Sequence, residues 1–255
     1  MLTETRTSDS QDSSIAGMIA AQPREALALA ASSFRLSYGQ LNERSAGLAQ
    51  GLQLLGAGPD VPIAVFADRT PAGVLAALSV LKAGAAYVPL DPGDPAERLE
   101  FVLRDVQAPF VLAERGLTGR LPRGRWKVIP LDEAPLLFSK PMDPLPAPGP
   151  NNLAYIGYTS GSTGRPVGVE IAHASLLNLI RWHQRTFHVP AADNASQIAA
   201  PSSTPPSGRS GPISPPAPTC TFRTPPSDAR PGRCATGWST NTSPSPSRPR
   251  PSPNS

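Results

Sequence analysis

Six consecutive residues, Thr159-Ser-Gly-Ser-Thr-Gly164, contain only Gly, Ser and Thr, and they follow directly on an apolar run, Leu153-Ala-Tyr-Ile-Gly-Tyr158. Gly161 and Gly164 free the backbone to turn so that several N–H groups can face one concavity. The hydroxyls of Thr159, Ser160, Ser162 and Thr163 add short donors, and no carboxylate lies within the run. That inventory suits a polyphosphate, which needs many close donors and no competing negative charge. The same composition also suits a plain flexible surface loop. It is not a Walker A loop, because no G-x-x-x-x-G-K-[ST] occurs. Other polar residues offer less. His173, His183 and His188 have no Cys or carboxylate at ligand spacing, so no metal site is expected. Asp91 and Asp94 read as turn and cap residues, and Arg98 as a structural or solvated arginine.

The elements that must position the loop follow from periodicity. Leu41, Ala46, Leu48, Leu52 and Leu55 have helical spacing and are followed by Gly56 and Gly58. Residues 61–66 lean to a strand. Pro71 opens a helix with Val74, Leu75, Leu78 and Leu81 on one face, closed by Gly84, and residues 86–90 read as the next strand. Asp94-Pro95 predicts an N-cap with Pro at the first helical position. Leu99, Val102, Leu103 and Val106 then mark a strongly amphipathic helix. Residues 109–112, 126–131 and 153–158 read as strands, 132–152 as a Pro-rich connector and 175–188 as a helix. Strands alternating with helices predict an α/β fold with a mostly parallel sheet.

Composition divides the chain. It has 255 residues, 33 Pro, 2 Cys and a formal charge of +4. Residues 200–255 hold 15 Pro and 12 Ser but no Leu, Val or Met. They carry six Arg against one acid, Asp228, so the tail is +5 and residues 1–199 are −1. Both cysteines, Cys220 and Cys234, lie in the tail, so they support no redox or metal argument for a folded domain. A segment so poor in apolar side chains cannot offset chain entropy by burial and is expected to be disordered. The expected organisation is a disordered start at 1–14, a domain at 15–199 and a disordered tail at 200–255. The near-neutral foldable part disfavours a nucleic-acid partner. The apolar stretch 73–90 is broken by Lys82 and rich in Ala and Gly, so no membrane span is expected. The polar start has no basic region followed by an apolar run, which makes a cytoplasmic protein the expectation.

The sequence TSGSTGRPVGV resembles the phosphate-loop signature of the adenylate-forming superfamily, specifically the amino-acid adenylation domains of nonribosomal peptide synthetases. Two further segments agree in order: Leu36-Ser-Tyr-Gly-Gln-Leu41, and Leu81-Lys-Ala-Gly-Ala-Ala-Tyr-Val-Pro-Leu-Asp-Pro92 with Pro95 and Arg98-Leu99. The resemblance covers roughly residues 15–199. It implies the N-terminal portion of the large adenylating domain, with Thr159, Ser160, Gly161, Ser162, Thr163 and Gly164 holding ATP phosphates and Mg2+ accompanying the ATP. It also implies attack of an amino-acid carboxylate on the α-phosphate, giving an aminoacyl-adenylate and pyrophosphate, and a carrier-protein domain that takes the acyl group.

Two departures bear on competence. The family loop reads G-[RK]-P-K-G, and here the lysine position is Val167. Loss of one transition-state donor costs on the order of 10²–10³ in rate. The resemblance also stops near Ala199, so the later motifs, including the substrate-ammonium aspartate, the adenine loop, the ribose aspartate and the catalytic lysine, are not found. No catalytic residue is assigned. Three readings follow: an inactive or nearly inactive amino-acid-activating ligase, a nucleotide-binding module without catalysis, or an interaction protein using its basic tail. A fatty- or aryl-acid ligase is the alternative substrate class. A partial sheet with an open edge is expected to associate or be degraded.

The tail has a codon-level explanation. Read one base out of register, each TCN serine places T at the middle of the hidden codon, and middle-T codons encode Phe, Leu, Ile, Met or Val. Residues 200–213 can then yield GPVFDASVWEIWPY, which resembles the family's next motif where it is expected, and residues 233–245 can yield LRDWLVDEHITI. A single-base deletion near Ala199 accounts for both in one shift. Resequencing the locus checks this: the expected result is a second frame, one base away, that continues into the later family motifs. A downstream sequence in which neither stretch can be encoded contradicts it.

Overall fold

The structure is a computed structural model and describes residues 14–31, 34–132, 148–160, 165–188, 194–196 and 219–221. The chain divides into two units, Met1–Arg223 and Thr224–Ser255, and every described residue belongs to the first. The elements in order are α1 (Ile15–Ala20), β1 (Leu27–Ala31), β2 (Phe34–Ser37), α2 (Tyr38–Leu54), β3 (Pro62–Phe66), α3 (Pro71–Lys82), β4 (Ala86–Leu90), α4 (Ala96–Asp105) and β5 (Phe110–Ala113). A 3-10 turn at Arg115–Arg120 leads to β6 (Lys127–Pro130), β7 (Leu153–Ser160), β8 (Pro166–Ala172), α5 (His173–Phe187), β9 (Asn194–Ser196) and β10 (Thr219–Thr221).

Local chemistry sets the helix starts. Ser37 and Gln40 form a reciprocal capping box at α2. Thr70 Oγ1 accepts from Gly73 N at 3.2 Å, with Pro71 in the first helical turn of α3. Gly84, at φ +80°, ends α3 in a conformation that L side chains resist and turns the chain into β4. The expected cap at α4 is shifted: Pro95 itself holds the N-cap position at ψ 149°, without a side-chain cap bond. The Asp94 carboxylate, expected to cap a backbone amide, turns instead to the Arg98 guanidinium.

The main sheet has the order β6-β5-β3-β4-β7-β8. Its described pairs are parallel, except that β8 runs antiparallel to β7. The α/β expectation with a mostly parallel sheet is met. Period-two alternation sends successive residues of β3 to opposite faces. Ile63 and Val65 pack with Leu48 and Leu52 of α2 and Ala76 and Val80 of α3. Ala64 and Phe66 pack with Leu99, Val102 and Leu103 of α4. Both faces of the parallel sheet are thus covered, while β8 leaves Val167 and Val169 exposed at the edge.

A smaller sheet, β2-β1-β10-β9, joins β1 to Thr219–Thr221 in parallel register, Leu29 opposite Cys220. This strand falls inside the segment expected to be disordered. A Thr-Cys-Thr run has β propensity and β1 offers it an open edge. The rest of residues 200–255, the start 1–13 and connector residues 133–147 lie outside the described residues.

Lys82 ties α3 to α2. Its ammonium is buried and donates to Asn42 O at 2.8 Å and Oδ1 at 2.6 Å, with no carboxylate among the described residues to balance the charge. Burial lowers its pKa from 10.5 to about 8. Between pH 8 and 10 the unfolded chain therefore holds a proton that the folded chain has released, so stability rises with pH. Urea titrations of the full chain at pH 7.5, 8.5 and 9.5 are expected to show a rise on the order of 1 kcal/mol per pH unit above 8. Lys82→Met is expected to flatten this slope.

Candidate functional site

The parallel strands β3, β4 and β7 end on one side of the sheet, where open α/β folds place their ligands. There β7 delivers Thr159, half-buried, and Ser160, exposed, as its last two residues. They pair across the hairpin with Val167 and Pro166. The structure thus places two of the six expected phosphate-binding residues at a strand end; Gly161, Ser162, Thr163 and Gly164 lie outside the described residues. Val167 sits directly opposite Thr159 and is 51% exposed. A longer cationic side chain at this position would have open space around it.

Two sets of polar contacts hold β7. At its start, the Asp60 carboxylate accepts from Leu153 N at 2.8 Å and from Asn152 Nδ2 at 3.2 Å. Asp60 itself is at φ +63°, which aspartate tolerates better than most residues. At the other end, the Tyr158 hydroxyl donates to Asp105 Oδ2 at 2.5 Å, and Arg98 Nη2 donates to the Tyr158 carbonyl at 3.4 Å. Arg98 also meets Asp94 at 3.3 Å. The Tyr158 ring is buried edge-on against Phe101, centroids 6.4 Å apart. Burial, and then the Asp105 carboxylate, push the Tyr158 hydroxyl pKa up, so it stays a donor at any ordinary pH. Hydrogen bonds to charged groups contribute about 1.5–3 kcal/mol.

Gly168 faces Tyr158 across the hairpin. A Cβ there would lie 3.1 Å from Tyr158 Cζ and 3.2 Å from its oxygen. The glycine is therefore needed for this close approach.

The residues read as bland from sequence sort unevenly. Asp91 Oδ1 accepts from Gly93 N at 2.7 Å, as a turn residue does. Arg98 is structural, but its partner is the carbonyl immediately before the loop. His173 is buried and lacks a hydrogen-bond partner at either ring nitrogen among the described residues. Burial lowers its pKa while Asp60 pulls it the other way. The described residues contain no group of three or more potential metal ligands and no helix long and apolar enough to cross a membrane. Sequence reasoning missed Asp60, Asp105 and the anchoring role of Tyr158. The available signal was a second stripe on α4, positions 98, 101 and 105, beside the apolar stripe.

Comparison with known proteins gives the family and the fold. The profile of the family described as AMP-binding enzyme matches residues 18–203. The chain belongs to that family. It is 38% identical over 178 residues to tyrocidine synthase 3 of Brevibacillus parabrevis, covering 70% of this chain and 3% of that protein. It is 43% identical over 154 residues to surfactin synthase subunit 1 of Bacillus subtilis (strain 168), covering 60% of this chain and 4% of that one. The solved nonribosomal peptide synthetase FmoA3 (S1046A) in its AMPPNP-bound form superposes with a TM-score of 0.74 at 29% identity, over 86% of this chain and 23% of that chain. The chain thus spans a small part of each of these three proteins.

Gly168→Ala is expected to displace the Tyr158 ring and cost about 1–3 kcal/mol, the usual range for overpacking. A thermal melt reads this as a lowered midpoint. Gly58→Ala, where a Cβ meets nothing within 4 Å, is the control expected to melt near wild type.

Proposed function

We propose that this chain carries the phosphate-loop portion of an amino-acid adenylation domain for nonribosomal peptide synthesis. The parent reaction joins ATP and an amino acid. The substrate carboxylate attacks the α-phosphorus, the bond to the bridging oxygen breaks, and pyrophosphate leaves with that electron pair. The aminoacyl-adenylate then passes its acyl group to a carrier-protein thiol. The observation that carries this reading is the hairpin itself: Thr159 and Ser160 stand at the carboxyl end of a strand anchored at both ends. The peptide synthases among the relatives favour an amino acid over a fatty or aryl acid, and AMPPNP in a solved neighbour supports ATP as the nucleotide.

In the parent, Thr159 to Gly164 hold the phosphates through backbone N–H groups and hydroxyls, and Mg2+ offsets phosphate charge. This chain supplies the loop but not the rest. Val167 removes the cation that the family places beside the phosphates. Residues 200–255 carry none of the family's later motifs, consistent with a shifted frame after Ala199. As it stands the chain is proposed to bind phosphate weakly and to complete no adenylation.

Calorimetric titration with ATP and Mg2+ tests this. Val167→Lys is expected to tighten binding about tenfold or more, the order of one charge-assisted contact, while Val167→Met changes nothing. Equal affinity in wild type and Val167→Lys overturns the phosphate-loop reading. Amino-acid-dependent ATP–pyrophosphate exchange by the wild-type chain overturns the proposed inactivity.

A further inference from the structure

We propose that Tyr158, Asp105 and Arg98 form a strut by which helix α4 sets the position of the loop-bearing hairpin, which makes all three positioning residues for the phosphate site. The contacts lie on one stripe of the helix. Arg98 in its first turn donates to the Tyr158 carbonyl, Phe101 packs edge-on against the ring, and Asp105 at its last residue accepts from the hydroxyl. Positions 98, 101 and 105 are spaced i, i+3, i+7 and so share one helix face. Tyr158 therefore lies along α4, with its backbone held near one end and its hydroxyl near the other.

Each part has a physical reason to serve β7 rather than α4. A carboxylate on the last residue of a helix sits at the negative end of the helix dipole, where it weakens the helix. Asp105 occupies that place, and the contact it gains there is the Tyr158 hydroxyl. Arg98 is spread between Asp94 and a carbonyl of another strand, and that carbonyl belongs to the residue immediately before Thr159. On the opposite strand Gly168 leaves room for the ring, and a Cβ there would press on the hydroxyl end of it. Moving Tyr158 moves Thr159 and Ser160 with it, because they are the next two residues of the same strand. Only the functional consequence rests on the phosphate-loop reading; the strut itself does not need a ligand.

Hydrogen–deuterium exchange on the full chain tests both parts separately. Tyr158→Phe and Asp105→Ala are each expected to speed exchange at Thr159, Ser160, Val167 and Gly168 about tenfold, the order for losing one hydrogen bond to a charged group. Amides of β3 and β5 should stay at wild-type rates. Asp105→Asn, whose amide oxygen still accepts, should restore protection. Tripolyphosphate binding should weaken in Tyr158→Phe and Asp105→Ala and recover in Asp105→Asn. Unchanged exchange at the hairpin in both disruptive variants overturns the proposal. So does acceleration that spreads equally through β3 and β5, because Tyr158 is then general core. If wild type fails to bind tripolyphosphate while the exchange pattern appears, the strut is supported and the phosphate-loop reading fails.

Discussion

Strand β7 depends on carboxylates contributed from distant parts of the chain. Asp60, from the turn before β3, takes the amide of its first residue. Asp105, from the end of α4, takes the hydroxyl of Tyr158 near its last. Between these anchors the strand joins the parallel sheet beside β4, with Tyr155 opposite Tyr87. A strand that enters the sheet after the long connector 132–152 has high closure entropy to overcome, and fixed polar anchors at each end offset it. The loop depends on these anchors, because Thr159 and Ser160 extend from a strand whose place is set before the loop begins.

The anchoring separates two tasks within one hairpin. The face toward α4 is structural: Tyr158, its contacts and Gly168 fill it. The opposite face carries Thr159 and the exposed Val167. Strand alternation makes the division automatic. It also means that the residue departing from the family pattern, Val167, can change without disturbing the core. The hairpin is thus fully paired with valine at this position.

Much of this was legible in the sequence. The α/β alternation, the helices at 38–54, 71–82 and 96–105 and the strands between them follow from apolar spacing and capping residues. The Gly/Ser/Thr run at 159–164 stood out in the sequence because its composition is extreme. The hairpin's second strand was not, since Pro166-Val-Gly-Val-Glu170 shows no clean alternation and most of it is exposed. The N-terminal elements α1, β1 and β2 lack long periodic runs and take their order from tertiary packing. Asp60 and Asp105 were invisible for a deeper reason: each acts over a separation of 93 and 53 residues, and no local pattern records such a partner. The cap at α4 falls one residue later than expected, and Asp94 pairs with Arg98 instead of a backbone amide.

Whether Thr159 to Gly164 receive phosphate decides the functional reading most directly. Backbone amide NMR of the full chain, titrated with tripolyphosphate, measures this residue by residue. Saturable shifts confined to Thr159, Ser160 and the following loop residues, with α2 and β5 amides unmoved, are the predicted result. Saturation that moves amides elsewhere while those of residues 159–164 stay in place would contradict it.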